Sequence, residues 1–213
     1  MSAEITVIDY GVGNLFSVER ALEHCGANVV VTSDHERILA AEKLLLPGVG
    51  AFADAMKELD RLGLVSAIRS YAETGKPLLG ICLGMQLLLD ESEEFGLSQG
   101  LGLISGRVVP VPPGAIDGTP QKVPHIGWNG LLPANGSVWT ETILSGVKAG
   151  QSVYFVHSFM ASVKHPEDRL ADCNYGGHLV PAVIASGNVV GCQFHPEKSG
   201  DVGLNILRAF CDQ

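Results

Sequence analysis

A short apolar segment that ends in a glycine-flanked cysteine constrains the fold more than any other stretch of the chain. Within residues 76–92, the run Leu78-Leu79-Gly80-Ile81 follows a proline and predicts a buried strand. Helical spacing relates four residues after it: Leu83, Gln86, Leu87 and Asp90. Between the two lies Gly80-x-Cys82-x-Gly84, the form of a nucleophile elbow with cysteine in place of serine. The segment therefore predicts a strand, a sharp turn and a helix, with Cys82 at the turn.

The two glycines of this motif have a steric explanation. A nucleophile raised on a sharp strand-to-helix turn has a strained backbone, and side chains two residues to either side would collide. The helix that begins there points free N–H groups and its positive dipole end at the Cys82 sulfur, which favours the reactive thiolate. A structural cysteine packed between two glycines is the alternative, because free cysteine is commonly a small core residue.

Composition excludes several classes of protein. The 213 residues are 46% apolar and 17% charged, which is typical of one globular domain, and we expect a single domain over residues 1–213. The net charge of −9 argues against nucleic acid as a partner. No apolar run approaches the roughly 20 residues that span a bilayer, and the N-terminus lacks the basic region of a signal peptide. We therefore expect no membrane attachment and a cytoplasmic protein.

Cysteine and histidine spacing gives no sign of a metal site. Five scattered cysteines form no C-x-x-C pair, so neither a zinc knuckle nor a disulfide framework is predicted; they are Cys25, Cys82, Cys173, Cys192 and Cys211. The histidines outside the C-terminal region lack metal-ligand spacing. We expect neither a metal nor a cofactor.

The first half of the chain alternates apolar strands with helical patterns. Strands are predicted at residues 5–10, 28–33, 43–46 and 78–81, and helices at 15–25 and 51–72, the latter with a break near Gly63. Strands that are apolar throughout and alternate with helices indicate a parallel sheet covered on both faces. Functional sites in such sheets form at the carboxyl ends of the strands, where Cys82 and the Pro47-Gly48-Val49-Gly50 turn are expected.

The second half has a different pattern. It predicts strands without long helices, at residues 122–128, 152–159, 182–185 and 189–194, joined by loops that include residues 110–121 and 165–179. A closing helix is predicted at residues 201–211, capped by Ser199 or Asp201. The whole chain is therefore expected to be one α/β domain, with a mostly parallel central sheet, helices on both faces and an added antiparallel portion.

A base for the thiol is predicted near the C-terminus. The strand at residues 189–194 leads into His195-Pro196-Glu197, and the proline biases His195 towards an extended backbone. His195 and Glu197 then project to the same side, so that Glu197 holds one imidazole nitrogen and leaves the other for the sulfur of Cys82. A strand-end histidine beside a solvated glutamate is the alternative.

Acyl transfer also needs donors for an oxyanion. The N–H of Leu83, the residue after the nucleophile, is one candidate. The turn Gly48-Val49-Gly50 is the other, because its glycines let backbone N–H groups turn inward. An ordinary strand-to-helix connection is the alternative for that turn.

A dinucleotide-binding site is a competing interpretation of the N-terminal region. Gly11-Val12-Gly13 follows a strand and opens a helix, and Asp34 follows the second strand. The third glycine of that fingerprint is replaced by Phe16, whose side chain is expected to hold the helix away from the strand. The match is therefore partial.

Both motifs together resemble a known family. Gly80-Ile81-Cys82-Leu83-Gly84-Met85-Gln86 followed by His195-Pro196-Glu197 resembles the class I (triad) glutamine amidotransferases. Further stretches resemble the glutaminase subunits of imidazole glycerol phosphate synthases: residues 9–15, 47–52, 122–129, 154–158 and 193–199. The resemblance implies a flavodoxin-like α/β fold.

The resemblance also implies roles for single residues. Cys82 would attack the side-chain amide of glutamine, with His195 transferring protons and Glu197 orienting it. Leu83 and the 48–50 turn would serve the oxyanion, after a rearrangement of that turn. The residues implied to hold glutamine are Gly50, Gln86, Ser158 and Phe159.

A partner is implied as well. The ammonia would pass to a separate (β/α)₈ cyclase subunit, which makes imidazole glycerol phosphate and an aminoimidazole carboxamide ribotide in histidine biosynthesis. The residues implied to meet this cyclase in a heterodimer are Tyr10, Asn14, Trp128 and Lys198. Trp128 has a core position as its alternative. A paralogous subunit for another amination, such as surface-sugar synthesis, and a catalytically silent binding module remain alternatives for the whole chain.

Overall fold

Two sheets and six helices make up the computed structural model, which describes residues 3–213. The large sheet contains nine strands in the order β2-β1-β3-β4-β13-β12-β11-β8-β9, and the small sheet four in the order β10-β7-β5-β6. The strands are β1 (Glu4–Ile8), β2 (Asn28–Thr32), β3 (Lys43–Leu46), β4 (Leu78–Ile81), β5 (Leu89–Ser92), β6 (Ser98–Gln99), β7 (Ile104–Pro110), β8 (His125–Pro133), β9 (Ser152–His157), β10 (Phe159–Val163), β11 (Arg169–Tyr175), β12 (His178–Ser186) and β13 (Val189–Cys192).

The helices cover both faces of the large sheet, as the sequence predicts. They are α1 (Leu15–His24), α2 (His35–Ala40), α3 (Phe52–Arg61), α4 (Leu64–Glu73), α5 (Leu83–Leu87) and α6 (Gly200–Cys211). The leucine side chains of β3 alternate between the two faces of the sheet, so both faces need to be covered by helices. Leu44 and Leu46 pack in one core cluster with residues of α2, α3 and α4, whereas Leu45 packs in the other with residues of α1 and α6.

The parallel half follows the predicted strands closely. β1 pairs in parallel with β2 and β3, β3 with β4, and β4 with β13. The break expected near Gly63 is present, because Gly63 has a φ of +68° and separates α3 from α4. The α2 helix was not predicted; Asp34 caps it by accepting a hydrogen bond from the Arg37 N–H at 2.9 Å.

The antiparallel half contains more strand than the sequence predicts. Residues 165–179 were expected to be a loop, which is wrong, because they contain β11, paired with β12 through a turn at Gly176 and Gly177. β11 carries a buried carboxylate that obscures its strand pattern. Arg169 satisfies Asp172 through two hydrogen bonds, of 3.1 and 2.6 Å, so the polar residue is accommodated inside the sheet.

The small sheet was also missed. Its strand β7 runs into the proline-rich segment and ends at Pro110, so that the start of the predicted 110–121 loop is sheet. Its strand β5 replaces the second half of the helix predicted after Cys82. Asp90 therefore lies on a strand, where its carboxylate accepts a hydrogen bond from the Gly106 N–H at 2.9 Å.

Neither membrane spans nor metal clusters are found in the described part of the chain. Among residues 3–213, every helix is too short or too polar to cross a bilayer. The same residues contain no group of three or more histidine, cysteine or carboxylate side chains arranged to hold a metal ion.

Candidate active site

Cys82 lies at the carboxyl end of β4, an interior strand of the parallel region. β4 has β3 on one side and β13 on the other, and the backbone turns abruptly after Ile81. Cys82 has a φ of +54°, in the left-handed region that residues with a side chain seldom adopt. Its N–H donates to the Cys192 carbonyl at 2.7 Å, which holds the turn against β13. The predicted elbow is present, and its strain lies at Cys82 itself.

The flanking glycines are needed for the steric reason expected from the sequence. A Cβ on Gly80 would lie 2.7 Å from the backbone oxygen of Gly84, and a Cβ on Gly84 would overlap the carbonyl oxygen of Leu46. The first turn of α5 is therefore pressed against both β4 and β3. No larger residue fits at either position without moving the backbone.

His195 and Glu197 reach the site from β13. Since Cys192 is the register partner of Ile81, the chain that leaves β13 passes directly beside Cys82. The Nδ1 atom of His195 lies 2.8 Å from Oε1 of Glu197, and the two side chains are only 3% and 1% exposed. This buried pair is the arrangement that the His-Pro-Glu tripeptide predicts.

Ser199 braces this segment. It occupies the position before α6, but its side chain does not cap the helix, so the predicted capping role is wrong for Ser199. Its hydroxyl instead donates to the His195 carbonyl at 2.6 Å and accepts from the Tyr154 N–H at 2.9 Å. His195 N–H in turn donates to the Tyr154 carbonyl. The backbone that carries the imidazole is therefore tied to β9.

The electrostatics of the site favour a protonated imidazole. Burial alone lowers the pKa of His195, but hydrogen bonds and charge interactions with Cys82 and Glu197 outweigh it and raise the pKa to about 9. Cys82 and His195 line the same pocket, so the imidazole and the sulfur face a common space. His195 can thus hold a proton for a leaving group at neutral pH.

An open pocket lies above Cys82 and His195. Its remaining walls come from the 48–50 turn, the start of α5, and the junction between β9 and β10. The residues that line it are Val49, Gly50, Cys82, Leu83, Gln86, Glu94, Pro124, Val156, His157, Ser158, Phe159 and His195. All four residues that the sequence resemblance implies for glutamine binding are among them.

The predicted oxyanion residues divide into two groups. Leu83, Val49 and Gly50 line the pocket, and Gly50 has a φ of +99°. Gly48 is buried behind it, where a Cβ would lie 2.8 Å from both the Gly84 nitrogen and the Tyr10 hydroxyl. Gly48 therefore packs tightly against the elbow, whereas the next two residues of the turn, Val49 and Gly50, face the pocket.

Tyr10 does not belong to an exposed partner surface, contrary to the prediction. Its side chain is 1% exposed and its hydroxyl donates to the Pro47 carbonyl at 2.8 Å, which anchors the 48–50 turn from below. The other three predicted interface residues have accessible surface. Asn14 caps α1, Trp128 is 58% exposed, so a core position is excluded, and Lys198 is exposed in the turn after His195.

Comparisons with known proteins agree with this geometry. The sequence model of the family "Glutamine amidotransferase class-I" matches residues 6–213. The chain belongs to the class-I glutamine amidotransferases.

The most informative relatives and structures are consistent with that family. The chain is 52% identical over 209 residues to "Imidazole glycerol phosphate synthase subunit HisH 1" of Legionella pneumophila strain Lens, covering 98% of each. It is 52% identical over 206 residues to the HisH subunit of Geobacillus thermodenitrificans, covering 97% of this chain and 94% of that protein. The fold resembles a solved glutamine amidotransferase (TM-score 0.71, 20% identity, 96% and 98% covered) and PurLQS from Thermotoga maritima (TM-score 0.71, 21% identity, 100% and 99% covered).

The dinucleotide interpretation finds no support in this amidotransferase. Asp34, the acidic residue of that partial match, caps α2. The reason given for Phe16 was also wrong. Its ring is 66% exposed with Arg20 beside it, so it points to solvent and does not separate α1 from the sheet.

Sequence reasoning missed several residues of the amidotransferase pocket. Glu94 lines it from the turn after β5 and also accepts the Phe52 N–H at the start of α3, at 2.6 Å. Pro124, Val156 and His157 line it from β9 and the segment before β8. His157 lies within the 154–158 stretch that carries the resemblance, so a signal existed. Glu94 lies in an acidic run that gives no hint of a pocket.

The stability of the amidotransferase is expected to fall as the pH drops from about 6.5 to about 4. Burial lowers the pKa of both His125 and His157 from 6.5 to about 4. In this range the unfolded chain binds protons that the folded protein does not, so acidification favours unfolding. His195 acts in the opposite direction: its raised pKa gives stability that is complete below pH 6.5 and lost as the pH rises through about 9.

Urea unfolding at several pH values measures this effect. His157→Asn removes a titrating ring, so its free energy of unfolding should fall less than that of the wild type between pH 6.5 and 4. His24→Asn, at an exposed position on α1, is the matched control and should follow the wild type. Parallel curves for all three proteins would contradict the prediction.

Proposed function

We propose that this amidotransferase is the glutaminase subunit of an imidazole glycerol phosphate synthase and supplies ammonia to a (β/α)₈ cyclase subunit in a heterodimer. The observation that carries the chemistry is one pocket lined by both Cys82 and His195, with the Glu197 carboxylate bonded to the far side of the imidazole. The names of relatives at about 50% identity over nearly the whole chain support the choice of client enzyme.

Cys82, His195 and Glu197 act as the catalytic triad. The Cys82 sulfur attacks the side-chain carbonyl of glutamine, and the imidazolium of His195 gives its proton to the departing ammonia. The remaining thioester is attacked by water, whose proton passes to His195, and glutamate leaves as the thiol is restored. Because its Nδ1–H donates to Glu197, His195 presents Nε2 to the sulfur throughout.

Leu83, Val49 and Gly50 lie on the pocket side on which an oxyanion would form. The Leu83 N–H begins α5, and the 48–50 turn is packed next to it, since a Cβ on Gly48 would lie 3.0 Å from the Leu83 Cβ. Gly48 supports that turn, since it is packed against the Gly84 nitrogen and the Tyr10 hydroxyl. Donors of this kind are worth about 10²–10³ in rate each.

The pocket offers groups for both the reacting side chain and the α-ammonium group of glutamine. Gln86, Ser158, Phe159 and Gly50 line the pocket around the nucleophile. Glu94 adds a carboxylate to the same wall, which is the chemistry that recognises the α-ammonium group of an amino acid. No cofactor enters any of these steps.

A cyclase docks on the exposed face formed by Asn14, Trp128 and Lys198. Lys198 follows Glu197 by one residue, and the Trp128 ring packs edge-to-face against Tyr154, whose backbone holds His195. A partner that contacts Lys198 or Trp128 therefore touches a residue that adjoins the segment carrying His195 and Glu197, either directly or through one intervening residue. A dry passage between the two sites would keep ammonia unprotonated and nucleophilic.

The single domain and its five unpaired cysteines fit a reducing cytoplasm.

Reconstitution tests this function. The chain is purified alone and with candidate (β/α)₈ cyclases, and glutamate release is measured with and without the acceptor nucleotide. The rate should be low for the isolated chain and rise when partner and acceptor are both present. Full activity of the isolated chain, or rescue of a surface-sugar defect but not of histidine auxotrophy, would contradict the assignment.

A further inference from the structure

A buried histidine pair lies at the pocket wall, outside the triad: His157 lines the pocket and His125 lies next to it. His157, on β9, is the register partner of His125, on β8, and Nε2 of His157 lies 3.0 Å from Nδ1 of His125. On its other side, Nδ1 of His157 lies 2.8 Å from the Phe159 carbonyl oxygen. Both rings are almost fully buried, and His125 is stacked between Tyr175 and Phe155, with centroid distances of 3.9 and 4.9 Å.

These contacts determine the proton positions. A carbonyl oxygen only accepts, so Nδ1 of His157 carries a hydrogen and donates it to Phe159. Its Nε2 must then accept, and Nδ1 of His125 donates to it. Both rings are neutral at physiological pH, because burial holds the pKa of each at about 4. The pair therefore acts as a directed chain of two hydrogen bonds that ends on a backbone oxygen.

That backbone oxygen belongs to the pocket wall. The Phe159 carbonyl also accepts a hydrogen bond from Nε2 of Gln86, at 3.0 Å. Nε2 of Gln86 donates in addition to Oε1 of Gln193, at 3.0 Å, and Nε2 of Gln193 lies 3.9 Å from the sulfur of Cys82. A continuous network of polar contacts thus connects His125, through His157 and the Phe159 carbonyl, to the nucleophile.

We propose that His157 is a positioning residue for glutamine binding, in the Nδ1–H tautomer that the Phe159 carbonyl selects and the donor from His125 supports. The inference rests on the proposed glutaminase function. With both lone pairs of the Phe159 carbonyl occupied, the Ser158–Phe159 junction is fixed and the Gln86 amide is held with its nitrogen towards Phe159 and Gln193. Losing the donor from His157 frees the carbonyl and lets both substrate-contacting elements rotate.

Two substitutions at one position test this directly. Asparagine places an amide nitrogen close to the location of Nδ1 and keeps the donor to Phe159, whereas glutamine places its amide near Nε2 and loses that donor. In the complex with the cyclase, His157→Gln should raise the KM for glutamine about tenfold with kcat within about threefold. His157→Asn should leave KM within about threefold of the wild type.

Further measurements separate positioning from simple destabilisation. Melting temperatures are recorded for both variants, and ¹⁵N chemical shifts of the imidazole nitrogens in the isolated wild-type chain report the His157 tautomer. Equal KM values for the two variants, a loss confined to kcat, or an Nε2–H tautomer at His157 would each overturn the inference. A wild-type complex that releases no glutamate would overturn the proposed function itself, and the inference with it.

Discussion

Replacing Cys82 by alanine is expected to lower the rate of glutamate release by about 10⁴-fold or more while the protein stays folded. The sulfur is the group that forms the thioester in the proposed mechanism, and removing a nucleophile leaves only binding and the oxyanion donors. The side chain is 7% exposed and small, so its truncation leaves little cavity. Glutamate release in the complex with the cyclase, together with circular dichroism, measures both parts of the prediction.

A glycine at the same position provides the matched comparison. Cys82 has a φ of +54°, which costs energy for any residue that carries a Cβ. Cys82→Ala keeps that strain and Cys82→Gly relieves it, so the glycine variant should be more stable to urea by about 1 kcal/mol. Both variants should be equally inactive. An alanine variant that retains turnover would contradict the role of Cys82, and an alanine variant more stable than the glycine one would contradict the strain at the elbow.

Replacing Glu197 by glutamine is expected to lower kcat by about 10³–10⁴-fold. The Glu197 carboxylate accepts the Nδ1–H of His195 at 2.8 Å and, together with Cys82, raises the pKa of the imidazole to about 9. A neutral amide removes the charge and allows the ring to reverse its tautomer. The pKa of His195, followed by NMR, should fall in the same variant.

The chain contains its own control for this substitution. His165-Pro166-Glu167 repeats the tripeptide His195-Pro196-Glu197, and each proline begins a short 3₁₀ turn. The first copy is exposed, whereas the second is buried beside Cys82. Glu167→Gln should therefore leave kcat within about twofold of the wild type. A comparable loss in both variants would indicate that the effect at Glu197 is not specific to the triad.

Sequence patterns were sufficient where residue types and spacing within a single segment determine its local structure. The strands at residues 43–46 and 78–81 were predicted at their observed bounds because each has a short apolar run that leads into a glycine- or proline-containing turn. The elbow was predicted because its glycine spacing has a steric cause that the structure reproduces at Gly84. The pairing of His195 with Glu197 followed from two residues of alternation within an extended segment.

Non-local pairing limited the prediction in the second half. β11 contains Asp172, whose burial is compensated by Arg169, and a sequence pattern does not show that compensation. The helix after Cys82 stops early because residues 89–92 pair with β7 and β6, whose positions only the fold provides. Tyr10 was assigned to a partner surface, yet its hydroxyl anchors Pro47 in the interior.

The sequence by itself determined the parallel half of the sheet, the elbow at Cys82 and the pairing of His195 with Glu197. These features depend on residue types and spacings within single segments, so they can be derived from the printed chain. The tertiary structure decided which of two His-Pro-Glu tripeptides is buried beside the sulfur. It also brought Glu94 and His157 into the pocket wall, with His125 bonded to His157. Burial and contacts between distant segments depend on which strands become neighbours in the folded sheet, and a local sequence pattern does not specify that order.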